Sequence, residues 1–138
     1  MVDPERLHRL LRRVTDDLAV LRGYAEVAPR ELLKDPVRLG HVKYLLVTLL
    51  EGCIDAAHHV AAAEGYGPPG SNAEAMLLLA RHGVLPEELA TVMAQAVRFR
   101  NVLVHGYAQV DDARVVAYLA ELRDVAAFTA ALSALLPE

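Results

Sequence analysis

Arg100 and His105 are the residues best equipped for chemistry. They fall in the run Arg98-Phe99-Arg100-Asn101-Val102-Leu103-Val104-His105-Gly106-Tyr107. Arginine is a permanent planar cation suited to gripping an anion, and an imidazole takes up and releases a proton near neutrality. At about 100° per residue, Leu89, Val92, Met93, Ala96, Phe99 and Leu103 share one side of a helix. Arg98 and Asn101 fall away from that side, whereas Arg100 lies near the middle of the apolar stripe. A guanidinium is rarely buried unpaired, so Arg100 is expected to face a carboxylate, a polar cleft or an anionic ligand. Five residues subtend about 140° on a helix. Arg100 and His105 therefore meet within one chain only if the helix ends before His105, which Gly106 allows. Otherwise a symmetry-related chain must complete the site. The plainer alternative is a structural arginine–carboxylate pair plus a histidine favoured at a helix C-terminus.

Other chemistry is poorly provided for. His58 and His59 are adjacent and diverge, and no His-x3-His or Cys-x2-Cys framework suggests zinc. Neither a phosphate-binding Gly-x4-Gly-Lys-Ser/Thr loop nor a dinucleotide fingerprint is present. Cys53 falls on an apolar helix face and is expected to pack rather than react. Ser71 and Ser133 read as cap and surface residues.

The elements that must position the run are helical. The chain of 138 residues is 54% hydrophobic with few aromatics, which suits one helical domain, 1–138, and excludes a largely disordered chain. A first helix starts at Asp3-Pro4-Glu5, with Leu7, Leu11, Val14, Leu18, Leu21 and Ala25 as its apolar seam. Ala28-Pro29 is expected to close it, with a loop reaching Asp35-Pro36. A second helix, roughly Val37 to Ala63, is nearly all apolar except for a stripe of Tyr44, Thr48, Glu51, Asp55 and His58. That stripe reads as the wall of a cleft, and its carboxylates are the natural partners of Arg100. Gly65 to Gly70 is a loop. Ser71-Asn72-Ala73-Glu74 reads as a capping box opening a short crossover helix that ends at His82-Gly83. Pro86 starts the helix that carries the run. Asp111 or Asp112 caps the last helix, with Tyr118, Leu122, Val125, Thr129, Leu132 and Leu136 on one face. The expectation is an all-α, up-and-down bundle of four or five helices with one short crossover helix. A charged start, a lone cysteine and an apolar core stretch of only Tyr44 to Leu50 suggest a cytoplasmic protein with no membrane segment. The net charge of -4 gives no global attraction to nucleic acid, so any such binding needs a local basic patch.

The residues from Arg100 to Tyr107 match the Arg-(x)4-His-x-Tyr signature of HepT-like toxins, a branch of the HEPN superfamily. Phe99 before the signature and Val110-Asp111-Asp112 after it also resemble that family. Glu51-Gly52-Cys53-Ile54-Asp55-Ala56-Ala57-His58-His59 is similar to its second-helix motif. Gly83-Val84-Leu85-Pro86-Glu87-Glu88-Leu89 is similar to the entry to its motif helix. The likeness covers essentially the whole chain in order. It departs at Val102, where a basic residue is common, and at Ala108, where an aromatic often follows the tyrosine. Both changes remove groups that hold RNA by charge or stacking.

The resemblance implies an HEPN-like homodimer with both motifs lining a shared cleft, and a metal-independent endoribonuclease that needs no cofactor. It also implies the toxin of a toxin–antitoxin pair, silenced by a small nucleotidyltransferase antitoxin that moves AMP from ATP onto the motif tyrosine, here Tyr107. On that scheme Arg100 and His105 are catalytic toward an RNA substrate. Asp55, with Glu51 as second choice, orients Arg100 or holds His105, the first role being preferred. Asn101 donates to the substrate backbone or supports the helix end. The alternative is a non-catalytic HEPN module that docks a nucleotidyltransferase or binds a nucleotide.

Overall fold

The computed structural model describes residues 1–106 and 110–137. Helix α1 (Pro4–Ala25) begins where Asp3 accepts hydrogen bonds from the amides of Glu5 and Arg6, with Pro4 in the first turn. This cap satisfies amides that have no partner inside the helix. Leu7, Leu11, Val14, Leu18 and Leu21 form the buried seam. Ala25, expected to continue it, is exposed at the helix end. Pro29 does not merely stop α1: it opens a five-residue helix, α2 (Pro29–Leu33), in the stretch expected to be loop. The fixed φ of proline serves a first helical position as well as it ends a preceding helix.

Helix α3 (Pro36–Ala63) is capped by Asp35, which accepts from the amides of Val37 and Arg38 and from Nε of Arg38 at 2.6 Å. The backbone and side-chain hydrogen bonds from Arg38 hold the Asp35 carboxyl below its ordinary pKa. α3 is the hub of the fold, packing against α1, α2, α4, α5, α6 and α7. By length and composition alone it could cross a membrane. Its apolar residues, however, from Leu39 through Val60, form the interior of the bundle.

Helix α4 (Asn72–Arg81) starts at Ser71, whose hydroxyl accepts from the amide of Glu74 at 3.1 Å, and packs along α5 (Glu87–His105). The last segment is not one helix. Asp111, not Asp112, caps α6 (Asp112–Ala117), a 3-10 turn follows at Tyr118–Glu121, and α7 (Leu122–Ser133) completes the chain's helices. The Asp112 carboxylate instead meets Lys43 of α3 at 2.7 Å. Among the described residues the structure is all helical, the expected class.

Helices α1 and α3 approach closely at Gly52. A methyl group there would stand 2.7 Å from Cγ2 of Val14, a stiff β-branched side chain that cannot swing aside. Gly52→Ala is expected to lower stability by about 1–3 kcal/mol through overpacking. Thermal melts should show that loss, and adding Val14→Ala should recover part of it; an unchanged melting temperature for Gly52→Ala contradicts the packing described.

Candidate active site

Arg100 sits where its helical position predicts, among buried neighbours Met93, Ala96, Phe99 and Leu103 of α5. Its side chain is 17% exposed, neither sealed nor free. Nη2 donates to Oε1 of Glu51 at 2.8 Å, and Nη1 donates to Oδ1 of Asn101 at 3.0 Å. Nε is buried without a hydrogen-bond partner among the described residues. A guanidinium presents five N–H donors in a fixed fork, so two protein contacts leave capacity for an acceptor from outside.

The preferred orienting carboxylate, Asp55, is displaced by the second choice. α3 and α5 run antiparallel: Glu51 lies level with Arg100, and Tyr44 and Val47 lie beside Leu103 and Val104. Asp55 is one turn farther along α3, roughly 6 Å from Glu51 on the helix axis, and therefore level with earlier residues of α5. It faces Arg13 of α1 instead, at 3.6 Å. Arg13 also approaches Oε2 of Glu51, at 3.8 Å. Glu51 thus stands between two guanidinium groups, tightly on one side and loosely on the other.

Arg13 was not singled out by sequence reasoning. It neighbours Val14 of the α1 seam, and Gly52 neighbours Glu51. The packing of α1 on α3, close at Val14 and Gly52, brings the two polar groups together. The rest of the α3 stripe is also met from neighbouring helices rather than left as a bare wall. Thr48 donates to Asp17 at 2.6 Å, His58 shares a hydrogen bond with Asn72 at 2.9 Å, and His59 accepts from the amide of Asp3. Tyr44 remains 65% exposed. Cys53 is buried and its thiol pKa is pushed up by that burial, as a packing residue requires.

His105 is the last residue of α5 and is exposed. The helix does not end before it, so the in-chain meeting with Arg100 that an early end would permit does not occur. Along a continuous helix the two side chains diverge by about 140°. His105 lines a shallow depression of about 490 Å³ with Asn101, Val102 and Gly106. Asn101 is therefore the link within one chain, bonded to Arg100 and bordering the hollow that holds His105. Gly106 is needed at the turn, because a side chain there would place Cβ 2.8 Å from the carbonyl oxygen of Val102. Tyr107 lies outside the described residues.

Chemically, the site offers a fixed cation with unused donors, a carboxylate that orients it, and an exposed imidazole around the helix from it. Among the described residues no three His, Cys, Asp or Glu side chains gather as they would to hold a metal ion.

Comparison with known proteins gives this arrangement a context. Residues 6–132 match the HepT-like family, described as ribonuclease HepT-like. The mRNA nuclease HepT of Shewanella oneidensis is 31% identical over 61 residues, 44% of this chain and 46% of that protein, so the likeness spans less than half the relative's length. Among solved structures, a tri-AMPylated HEPN toxin from the same organism, in complex with its MNT antitoxin, superposes with a TM-score of 0.86 at 22% identity. That match covers 97% of this chain and 99% of the other. The cytosolic protein of unknown function YutE from Bacillus subtilis superposes with a TM-score of 0.84 at 17% identity, over 97% and 90% of the two chains. At such identities the superpositions establish the fold.

The two carboxylates are expected to differ in stability measurements. Glu51→Ala leaves a mostly buried guanidinium short of an acceptor and should cost roughly 1–3 kcal/mol. Asp55→Ala removes an exposed, long ion pair and should stay within about 0.5 kcal/mol. Denaturant melts of both variants decide the order, and a reversed order contradicts the pairing.

Proposed function

Because this chain belongs to the HepT-like ribonuclease family, we propose that it is the toxin of a toxin–antitoxin pair and acts as a metal-independent endoribonuclease. The observation that carries this reading is Arg100: a permanent cation, mostly buried among apolar residues, oriented by Glu51 and by Asn101, which itself borders the hollow that holds His105.

In the proposed reaction the ribose 2′-hydroxyl attacks the adjacent phosphorus. The new bond is the 2′-oxygen to phosphorus, the bond to the 5′-oxygen breaks, and the products are a cyclic phosphate and a free 5′-hydroxyl. His105 takes the proton from the 2′-hydroxyl and supplies one to the departing 5′-oxygen, a task suited to an imidazole near neutrality. Arg100 grips two phosphate oxygens as charge builds on them. Removing such a donor typically costs on the order of 10²–10³ in rate.

The divergence of Arg100 and His105 around α5 favours a site built from two chains. In a homodimer, Arg100 of one protomer would serve the phosphate beside His105 of the partner subunit. An apolar groove supports that assembly. It has a volume of about 510 Å³ and is lined by Gly40, Lys43, Tyr44, Val47, Leu103, Val104 and Val110. Tyr44 of that lining and, two turns earlier on the same face of α3, Val37 stand largely in solvent. Exposed apolar area of this kind marks interaction surfaces.

The proposed partner that silences the toxin is a nucleotidyltransferase antitoxin, which transfers AMP from ATP to Tyr107. The adduct adds bulk and negative charge next to an anion site and so repels the RNA phosphate. The family resemblance supports this regulation, as does the Shewanella oneidensis toxin in its AMPylated state with its antitoxin.

Mixing two inactive variants tests both the chemistry and its division between chains. His105→Ala and Arg100→Ala should each fail to cleave RNA, with or without chelator, while keeping their helical content. Co-refolded together, they form mixed dimers in which one of the two shared sites is complete, so chelator-resistant cleavage should return in part. Cleavage by His105→Ala alone contradicts the catalytic role, and failure of every mixture contradicts the shared site.

A further inference from the structure

A second cavity lies on the other flank of α5, between that helix and the C-terminal segment. It has a volume of about 370 Å³ and is lined by Gln95, Phe99, Arg114, Tyr118, Glu121 and Asp124, with Ala96 and Ala117 leaving it open by stopping at Cβ. Phe99 and Tyr118, 4% and 8% exposed, lie beneath it. The Phe99 and Tyr118 rings are stacked with centroids 5.2 Å apart, and the Arg114 guanidinium lies 5.1 Å from the centre of the Phe99 ring. The 3-10 turn at Tyr118–Glu121 accounts for the next feature. Residues three apart eclipse in such a turn, so Tyr118 and Glu121 stand on one side and are both brought to the cavity.

The polar groups here are unused. Among the described residues, none of Arg114, Glu121 and Asp124 enters an ion pair, although both signs of charge line the same small space. Tyr118 is 8% exposed, and its hydroxyl has no hydrogen-bond partner among the described residues. A buried tyrosine hydroxyl normally finds a partner. Burial, then the neighbouring Cys53, Glu121 and Asp124, push its pKa up, so it remains protonated and able to donate.

We propose that this cavity is a guanine-binding subsite for the RNA strand. An apolar floor supplied by Val92, Ala96, Phe99 and Ala117 receives the body of a base, and the charged groups at its rim select which base. Guanine presents two N–H donors, at N1 and N2, on one edge and two acceptors, O6 and N7, on the next. A carboxylate of Glu121 or Asp124 complements the first edge, and the Arg114 fork complements the second, its commonest base contact. Uracil and cytosine lack a pair of adjacent donors, and adenine lacks O6.

The placement suits a strand that continues to His105. Gln95, Arg98, Val102 and His105, spaced three and four apart, are all exposed on one stripe of α5. Gln95 lines the cavity and His105 lines the hollow at the helix end. Arg98 stands between them without a carboxylate partner among the described residues, available to a backbone phosphate. The direction of the strand rests on the nuclease reading above, whereas the affinity for guanine does not.

Calorimetric titration of the full chain with guanosine, adenosine, cytidine and uridine, none of which carries a phosphate, tests the subsite alone. Guanosine should bind about tenfold or more tightly than either pyrimidine nucleoside. The double variant Glu121→Gln, Asp124→Asn should lose most of that preference, and the isosteric Tyr118→Phe should weaken guanosine binding severalfold. Mapped RNA cuts should show a guanine at a fixed offset, and the double variant should relax it. Equal binding of all four nucleosides, no binding of guanosine, or a preference that survives in the double variant overturns the subsite. Guanosine binding by a chain that cuts no RNA supports it and counts only against the nuclease.

Discussion

The site depends on one constraint: the Arg100 guanidinium cannot shed its charge, yet its place on α5 puts it among apolar side chains. Burial of an unpaired cation is costly, so the fold must bring a carboxylate to it. The antiparallel packing of α3 on α5 does so at Glu51. The close approach of α1 at Gly52 then adds Arg13 on the far side of the same carboxylate. A carboxylate shared by two guanidinium groups is not consumed by either. The Nε group of Arg100, buried and unmatched among the described residues, shows that the cation's donors outnumber the protein's acceptors around it.

Much of the fold was legible because it is written in local chemistry. Asp3-Pro4, Asp35-Pro36 and Ser71 with Glu74 announce helix starts by the hydrogen bonds that their side chains make. The seam from Leu7 to Leu21 announces the buried face of α1. α2 escaped because five residues are too few to show a period, and because Pro29 serves equally as a stop and as a start. The break in the last helix escaped for the opposite reason. Tyr118, Leu122, Val125, Thr129 and Leu132 keep one apolar spacing through the 3-10 turn, so the pattern gives no sign of it.

The site was legible as a set of residue types and less so as a set of pairs. The position of Arg100 on the apolar stripe foretold a carboxylate on α3. Glu51 and Asp55 lie on the same stripe, however, and only the level at which α3 and α5 pack decides between them. Arg13 and the cavity around Tyr118 depend on contacts between segments far apart in sequence, about which periodicity within each segment is silent. Gly106 allowed a helix that ends before His105, but α5 continues through His105 and places the imidazole on the side away from Arg100.

These features divide α5 by function around its circumference. One side carries Arg100 toward α3, the exposed stripe carries Arg98 and His105, and the flank between that stripe and the core carries Gln95 and Phe99 into the second cavity. On the proposed reading, an acidic protein would hold an anionic strand by local arginines rather than by overall charge. The central claim is that Arg100 is held half-buried to meet a phosphate. The most direct measurement is nitrogen-detected NMR of the arginine Nε–H groups during titration with an RNA strand made uncleavable by 2′-deoxy substitution. The Arg100 signal should move on binding, while that of Arg38, whose Nε is taken by Asp35 at 2.6 Å, should stay in place. A strand that binds and shifts other signals while Arg100 stays unmoved would contradict the account.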